Sequence, residues 1–159
     1  MSRNSNNQID YPVLAIDFGE KHIGVAVSDN TGKVAKPIDT INIKSQKKLA
    51  PALNKIANLV EKWQAETILL GLPQAFTKSQ KKTQSKIISF EEQLKSTIDK
   101  PIIKYDESYS TIRAQDMLRL QGKTSRSTRH KIDSVASAVF LQEFLNLQTR
   151  KSGESQHDN

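Results

Sequence analysis

Two apolar runs separated by a short glycine-containing break constrain the fold of this chain more than any other feature. Residues 13–16 read VLAI and residues 23–27 read IGVAV, with DFGEKH between them. Runs this short, rich in Val and Ile and bounded by a turn residue, suit buried strands better than helices. Gly19 supplies the turn, so an antiparallel hairpin is expected. The first strand then ends on an acid, Asp17. Burying a carboxylate costs several kcal/mol unless hydrogen bonds or a cation compensate it. Asp17 therefore has either a structural reason, capping the amides of Gly19 and Glu20, or a chemical one.

Residues 34–43 read as a third strand, extended around Pro37 after the turn Asn30-Thr31-Gly32, and complete an antiparallel meander. The period then changes. Leu49, Ala52, Leu53, Ile56, Ala57, Val60 and Trp63 predict a helix over 47–64 with Pro51 in its first turn. Residues 67–70 form a short strand stopped by Gly71-Leu72-Pro73, and Ile87, Phe90, Glu91, Leu94 and Ile98 mark a second helix. Residues 101–105 form a strand ending on Asp106 and Glu107. Ser110 or Thr111 caps a third helix with Gly122 just past its end. Ile132, Val135, Ala136, Val139, Phe140, Phe144 and Leu147 mark the last helix. The order β-β-β-α-β-α-β-α-α predicts an α/β fold: a mixed five-stranded sheet, a three-stranded antiparallel meander plus two parallel strands, flanked by helices. A chain of 159 residues fits one domain. It is expected over 9–147, between polar tails at 1–8 and 148–159 that lack the apolar surface to order themselves.

Lys and Arg number 24 against 17 Asp and Glu, a net charge of +7 that favours a polyanionic partner, nucleic acid first. The absence of cysteine excludes disulfides, thiolate metal sites and a cysteine nucleophile. No run approaches the ~20 apolar residues of a membrane helix, and the start MSRNSNNQID lacks a secretory core. A cytoplasmic protein without membrane contact is expected. Two basic segments read as loops: Lys78, Lys81, Lys82 and Lys86 after GLP, and Lys123, Arg126, Arg129 and Lys131 before Asp133. The second segment and Lys21 are the expected phosphate contacts.

Asp17, Asp106, Glu107 and Asp133 each interrupt an apolar pattern. In an α/β sheet the C-terminal ends of parallel strands share one edge, where ligands bind. Converging carboxylates repel unless a cation bridges them, and oxygen donors without cysteine suit Mg²⁺ or Mn²⁺. Plainer readings exist beside this one. Asp133, in the first turn of the last helix, would complement the macrodipole, and Asp106 would shape a turn before Ser108. Ser28 and Asp29 read as turn formers, and His22 and His130 as surface residues with no acid paired to them in the sequence.

The segments LAIDFGEKHIGVAVSD, ILLGLP, YDESYST and HKIDSVASAVFLQEFL, in this order and spacing, resemble the YqgF/RuvX family. These are pre-16S rRNA nucleases, also described as Holliday junction resolvase-like, with an RNase H/RuvC-type fold. The resemblance spans roughly residues 13–147. It implies a metal-dependent nuclease processing the 5′ end of precursor 16S rRNA in ribosome biogenesis, with structured RNA as partner. It implies catalytic Asp17, Asp106, Glu107 and Asp133, with Asp17, Glu107 and Asp133 holding Mg²⁺ or Mn²⁺. Strand alternation sends residues 106 and 107 to opposite faces, so one of that pair is expected to coordinate. Ser108 stands where the family usually has Arg, Lys21-His22 where it has Lys-Arg, and QAFTKSQKKTQ where it has an Asn and a glycine-containing turn. Three alternatives remain at this point. Resolution of branched DNA would need a homodimer for symmetric cutting, whereas RNA processing allows a monomer. A non-catalytic nucleic-acid-binding factor is another. The third is nucleotide binding, because DFGEKHIG is similar to the phosphate loop of actin-like ATPases, although one domain lacks their second lobe.

Overall fold

The apolar runs pair as expected because each can bury both faces only inside a sheet. β1 (Val13–Phe18) and β2 (His22–Ser28) are antiparallel, with Asp17 opposite Gly24 and Phe18 opposite Ile23. The Gly19 N–H donates to the His22 carbonyl at 2.9 Å. A Cβ at residue 19 would stand 2.8 Å from that oxygen, so this turn admits only glycine without a shift. The computed structural model describes residues 8–19, 21–45, 47–72, 78–106 and 126–154, with positions 72, 78–84, 106, 126–133 and 154 by backbone alone.

β3 (Ala35–Asn42) joins β2 antiparallel and forms the sheet edge. Val25 pairs with Asp39 and Ala26 with Pro37, so Ile38 is an extra residue and the strand bulges beside a proline that has no N–H to donate. The preceding turn is held by Asp29, whose carboxylate accepts from the Thr31 hydroxyl at 2.6 Å and from the Lys33 and Val34 amides at 2.8 and 3.2 Å. These bonds, that from Thr31 foremost, hold the Asp29 carboxyl below its ordinary range. Asp29 is a turn former, as read from the sequence.

α1 (Ala50–Trp63) has Pro51 in its first turn and ends at Gln64 in the left-handed region, φ 51°, where the Ala65 N–H reaches the Val60 carbonyl at 2.9 Å. β4 (Thr67–Leu72) runs parallel to β1, and β5 (Ile102–Asp106) parallel to β4, giving the order β3-β2-β1-β4-β5. α2 (Lys78–Thr97) lies between them in the chain, and α3 (Arg126–Glu154) closes it. The α/β class and the meander-plus-parallel sheet are those expected from the sequence.

Several boundaries differ from that expectation. Gly71 and Leu72 continue β4 instead of stopping it, because both pair with β5. Lys78, Lys81, Lys82 and Lys86 belong to α2 and not to a loop. The last helix starts at Arg126 and runs through Glu154, beyond residue 148 where a loose tail was expected. The Thr149 and Ser152 hydroxyls bond back to the Leu145 and Gln148 carbonyls, both at 3.1 Å. Leu147, read as inward, is 43% exposed. The helix expected after Thr111 lies outside the described residues.

β1 sorts its side chains onto two cores. Leu14, Ile16 and Phe18 join Leu53, Ile56, Phe90 and Leu94 of α1 and α2, with Phe18 and Phe90 stacked at 4.5 Å. Val13 and Ala15, with Ala26 and Leu69, pack on Phe140, Leu141, Phe144 and Leu145 of α3.

Candidate metal and nucleic-acid site

Asp17 is the third residue of the Val13, Ala15, Asp17 series, so the pleat places it on the sheet face covered by α3. It is half-buried near the end of the central strand. Its register neighbours are Gly24 on β2 and Gly71 on β4. The acid is therefore flanked on both adjoining strands by residues without side chains. Neither of these two neighbours puts a side chain beside the carboxylate, and a hard divalent ion suits such an oxygen donor. Gly71 is a participant that sequence reasoning treated only as a strand stop. Its signal was available in the glycine's position at the end of an apolar strand.

Asp106 is the last residue of β5 and pairs with Leu72, at the same sheet edge as Asp17 and one row beyond it. Tyr105, in the Asp17 row through Gly71, packs onto α3 by stacking on Phe140 and meeting Phe144 edge-on, both at 5.9 Å. Position 106 is the alternate pleat position to 105. Glu107 lies outside the described residues.

Asp133 is the eighth residue of α3, not a first-turn residue. The macrodipole acts mainly over the first turn, so the plain explanation for this acid weakens. Position 133 precedes buried Ser137 by four residues and buried Phe140 by seven, the spacing of one helix face. Arg126, Arg129 and Lys131 are in the opening turns of the same helix and not in a preceding loop, and Lys123 lies outside the described residues. Lys21 is exposed on the hairpin beyond Asp17, with its carbonyl accepting from the Ile43 amide at 2.7 Å. Among the described residues, no three His, Cys, Asp or Glu side chains are grouped to hold a metal. Of the expected ligands, Asp17 is the one described with its side chain. Also among the described residues, no helix is long and apolar enough to cross a membrane.

The family model described as "RuvX: Holliday junction resolvase" matches residues 11–147. A protein of Desulforamulus reducens named "Putative pre-16S rRNA nuclease" is 36% identical over 134 residues, covering 84% of this chain and 95% of its own. A protein of Thermoanaerobacter pseudethanolicus with the same name is 33% identical, covering 87% and 99%. Among solved structures, T. thermophilus RuvC in complex with a Holliday junction substrate superposes with a TM-score of 0.59 at 15% identity, covering 86% of this chain and 94% of that one. At that identity the likeness shows the fold, an RNase H-like sheet of the resolvase type.

Proposed function

The chain belongs to the RuvX family of nucleases, related to Holliday junction resolvases, and from that premise we propose that it trims structured precursor 16S rRNA at the 5′ end. In this reading Asp17, Glu107 and Asp133 hold Mg²⁺ or Mn²⁺, and Asp106 supports the pair from the alternate pleat position. The observation that carries the proposal is the row Gly24, Asp17, Gly71: an acid on the central strand with a glycine on each adjoining strand.

Two further features support it. Tyr105 faces α3, so position 106, the alternate pleat position, stands off the Asp17 face, which leaves Glu107 as the proposed ligand of the pair. Gln142 bonds to the Ala35 amide at 2.9 Å and the Lys33 carbonyl at 2.8 Å, beside the N-terminal end of β1, whereas Phe140 meets Tyr105 in the Asp17 row. The earlier turns of α3, with Asp133 about 10 Å before Phe140, therefore head toward the acid edge.

Bound divalent ions would neutralise the scissile phosphate and stabilise its attacking and leaving oxygens. The chain's own groups divide the remaining work. Asp17, fixed in a five-stranded sheet, sets the position of the donor set. Lys21, Lys123, Arg126, Arg129 and Lys131 hold flanking phosphates against the repulsion of the carboxylates.

The test is to incubate the purified chain with precursor RNA and Mn²⁺ beside Asp17→Asn. Cleavage is expected to fall on the order of 10³-fold. Equal cleavage by both overturns the assignment. The family description favours one second reading, resolution of branched DNA, and symmetric cutting of a four-way junction in the same assay would select it. Metal-independent RNA binding with no cleavage of either substrate would instead identify a non-catalytic binding factor.

A further inference from the structure

The end of the sheet remote from Asp17 carries an aromatic ring and two lysines that the cleavage chemistry does not use. Trp63, the only tryptophan of the chain, is the last residue of α1 and is half-buried. The Glu66 amide donates to the Pro12 carbonyl at 2.9 Å, which pins the end of α1 beside the start of β1. Five residues of extended chain, roughly 16 Å, separate Pro12 from Asp17. Ala35 packs with the α3 core, so alternation puts Val34 and Lys36 on the face of α1. There Val34, Lys36 and Trp63 join Pro12, Val27 and Asp29 around a hollow of about 380 Å³. Hollows of about 300–1,000 Å³ hold small ligands, so this one admits a nucleotide.

The walls of this hollow are apolar and positive. Val34 is 59% exposed, yet it is held: its amide donates to Asp29 Oδ1 at 3.2 Å and its carbonyl accepts from the Asp29 amide at 3.0 Å. The Asp29 carboxylate is engaged by its own turn, accepting from Thr31 and Lys33 as well. Lys36 Nζ lies over the Trp63 ring at 4.3 Å from its centroid, and Lys62 Nζ lies 5.7 Å from it. Among the described residues neither ammonium is in an ion pair. Two like charges gathered on one ring complement a phosphate. Lys36 can yield the ring face, because an exposed cation–π contact is worth less than the stacking of a nucleobase on an aromatic side chain. A base taking that place frees the Lys36 ammonium for the phosphate that comes with it.

We propose that this hollow is a second RNA contact, in which an unpaired base of a single-stranded segment stacks on Trp63 while Lys36 and Lys62 hold its phosphates. The inference rests on the precursor-RNA reading and adds a grip on the substrate at the opposite end of the sheet from the cut.

The experiment measures binding of the full chain, without added divalent metal, to an end-labelled single-stranded RNA of about 12 nucleotides, by anisotropy of the label and by tryptophan emission. A stacked base quenches an indole on contact, and Trp63 is the only indole present, so the emission reports on this hollow. It is expected to fall in step with binding. Trp63→Leu should weaken binding about tenfold, and Trp63→Phe, which keeps an aromatic face, should recover part of the loss. Lys36→Gln combined with Lys62→Gln alters two exposed side chains outside the core, so folding is not at stake. That variant should lower the slope of log affinity against log salt by about 1.4, the value for two phosphate contacts on a single strand. Binding that leaves the emission unchanged overturns the proposal and spares the nuclease reading. So does an unaltered affinity in Trp63→Leu, or an unaltered salt slope in the double lysine variant. A wild type that binds no RNA overturns the precursor-RNA reading and this inference together.

Discussion

The two faces of the sheet are built from the same strands and do different work. Toward α1 and α2 the side chains are large and apolar, and Phe18 lies flat on Phe90. Among the described residues the one buried charge there, Glu91, is paired with Lys95 at 3.1 Å and Lys104 at 3.0 Å. Toward α3 the central strands carry Val13, Ala15, Ala26 and Leu69 into a smaller core, with Asp17 and Gly24 beyond it toward the acid edge. A single strand can supply both because successive side chains point oppositely. Both faces carry a core, and the one toward α3 also carries an acid set between glycines.

This division can be broken by experiment. Phe90→Ala and Phe140→Ala each remove a fully buried ring and should each cost about 3–5 kcal/mol in urea unfolding. They should differ in activity: at a temperature where both are folded, Phe90→Ala keeps its turnover number, whereas Phe140→Ala loses it because α3 carries Asp133. Equal loss of turnover would abolish the distinction between the faces. A smaller effect is expected at Gly32, where φ is +69° and a Cβ would stand 2.5 Å from the Tyr11 ring. Gly32→Ala should cost about 2 kcal/mol in stability while leaving cleavage by the folded protein intact, since this turn lies far from the acid edge.

The smallest effect belongs to Glu91. Burial pushes its carboxyl up, but hydrogen bonds and charge from Lys104 and Lys95 outweigh burial and hold it below the ordinary value. A carboxyl depressed on folding adds stability above its unfolded pKa and loses it as pH falls through the folded one. Glu91→Gln should therefore lower the melting temperature at neutral pH, by about 1 kcal/mol of stability, and the gap from wild type should begin to narrow as pH falls below the ordinary glutamate value of about 4.3. A gap that widens in acid would show that the ion pairs do not stabilise this face.

Local features of the chain made much of this legible. The Val13 and Ile23 runs, Pro51 in the first turn of α1 and the Asp29 turn were readable because each depends on residues near it in sequence. Boundaries set by distant partners were not. Gly71 looked like a stop until its pairing with Tyr105 made it strand. The opening turns of α3 carry Arg126, Arg129 and Lys131, whose charge reads as loop although Arg and Lys are good helix formers. Asp17 was conspicuous as an acid in an apolar strand. His22, read as a surface residue, bonds to Asn42, a partner 20 residues away that no local pattern announces.

The sequence by itself determined the elements, their order, the positive charge and the acids that interrupt the apolar pattern, since periodicity and composition are properties of the chain. Only the tertiary structure decided which residues stand beside those acids. Strand register placed glycines on both sides of Asp17 and set Asn42 opposite His22. Register is a relation between strands, fixed by backbone hydrogen bonds and the packing of both faces, and no single stretch of sequence contains it.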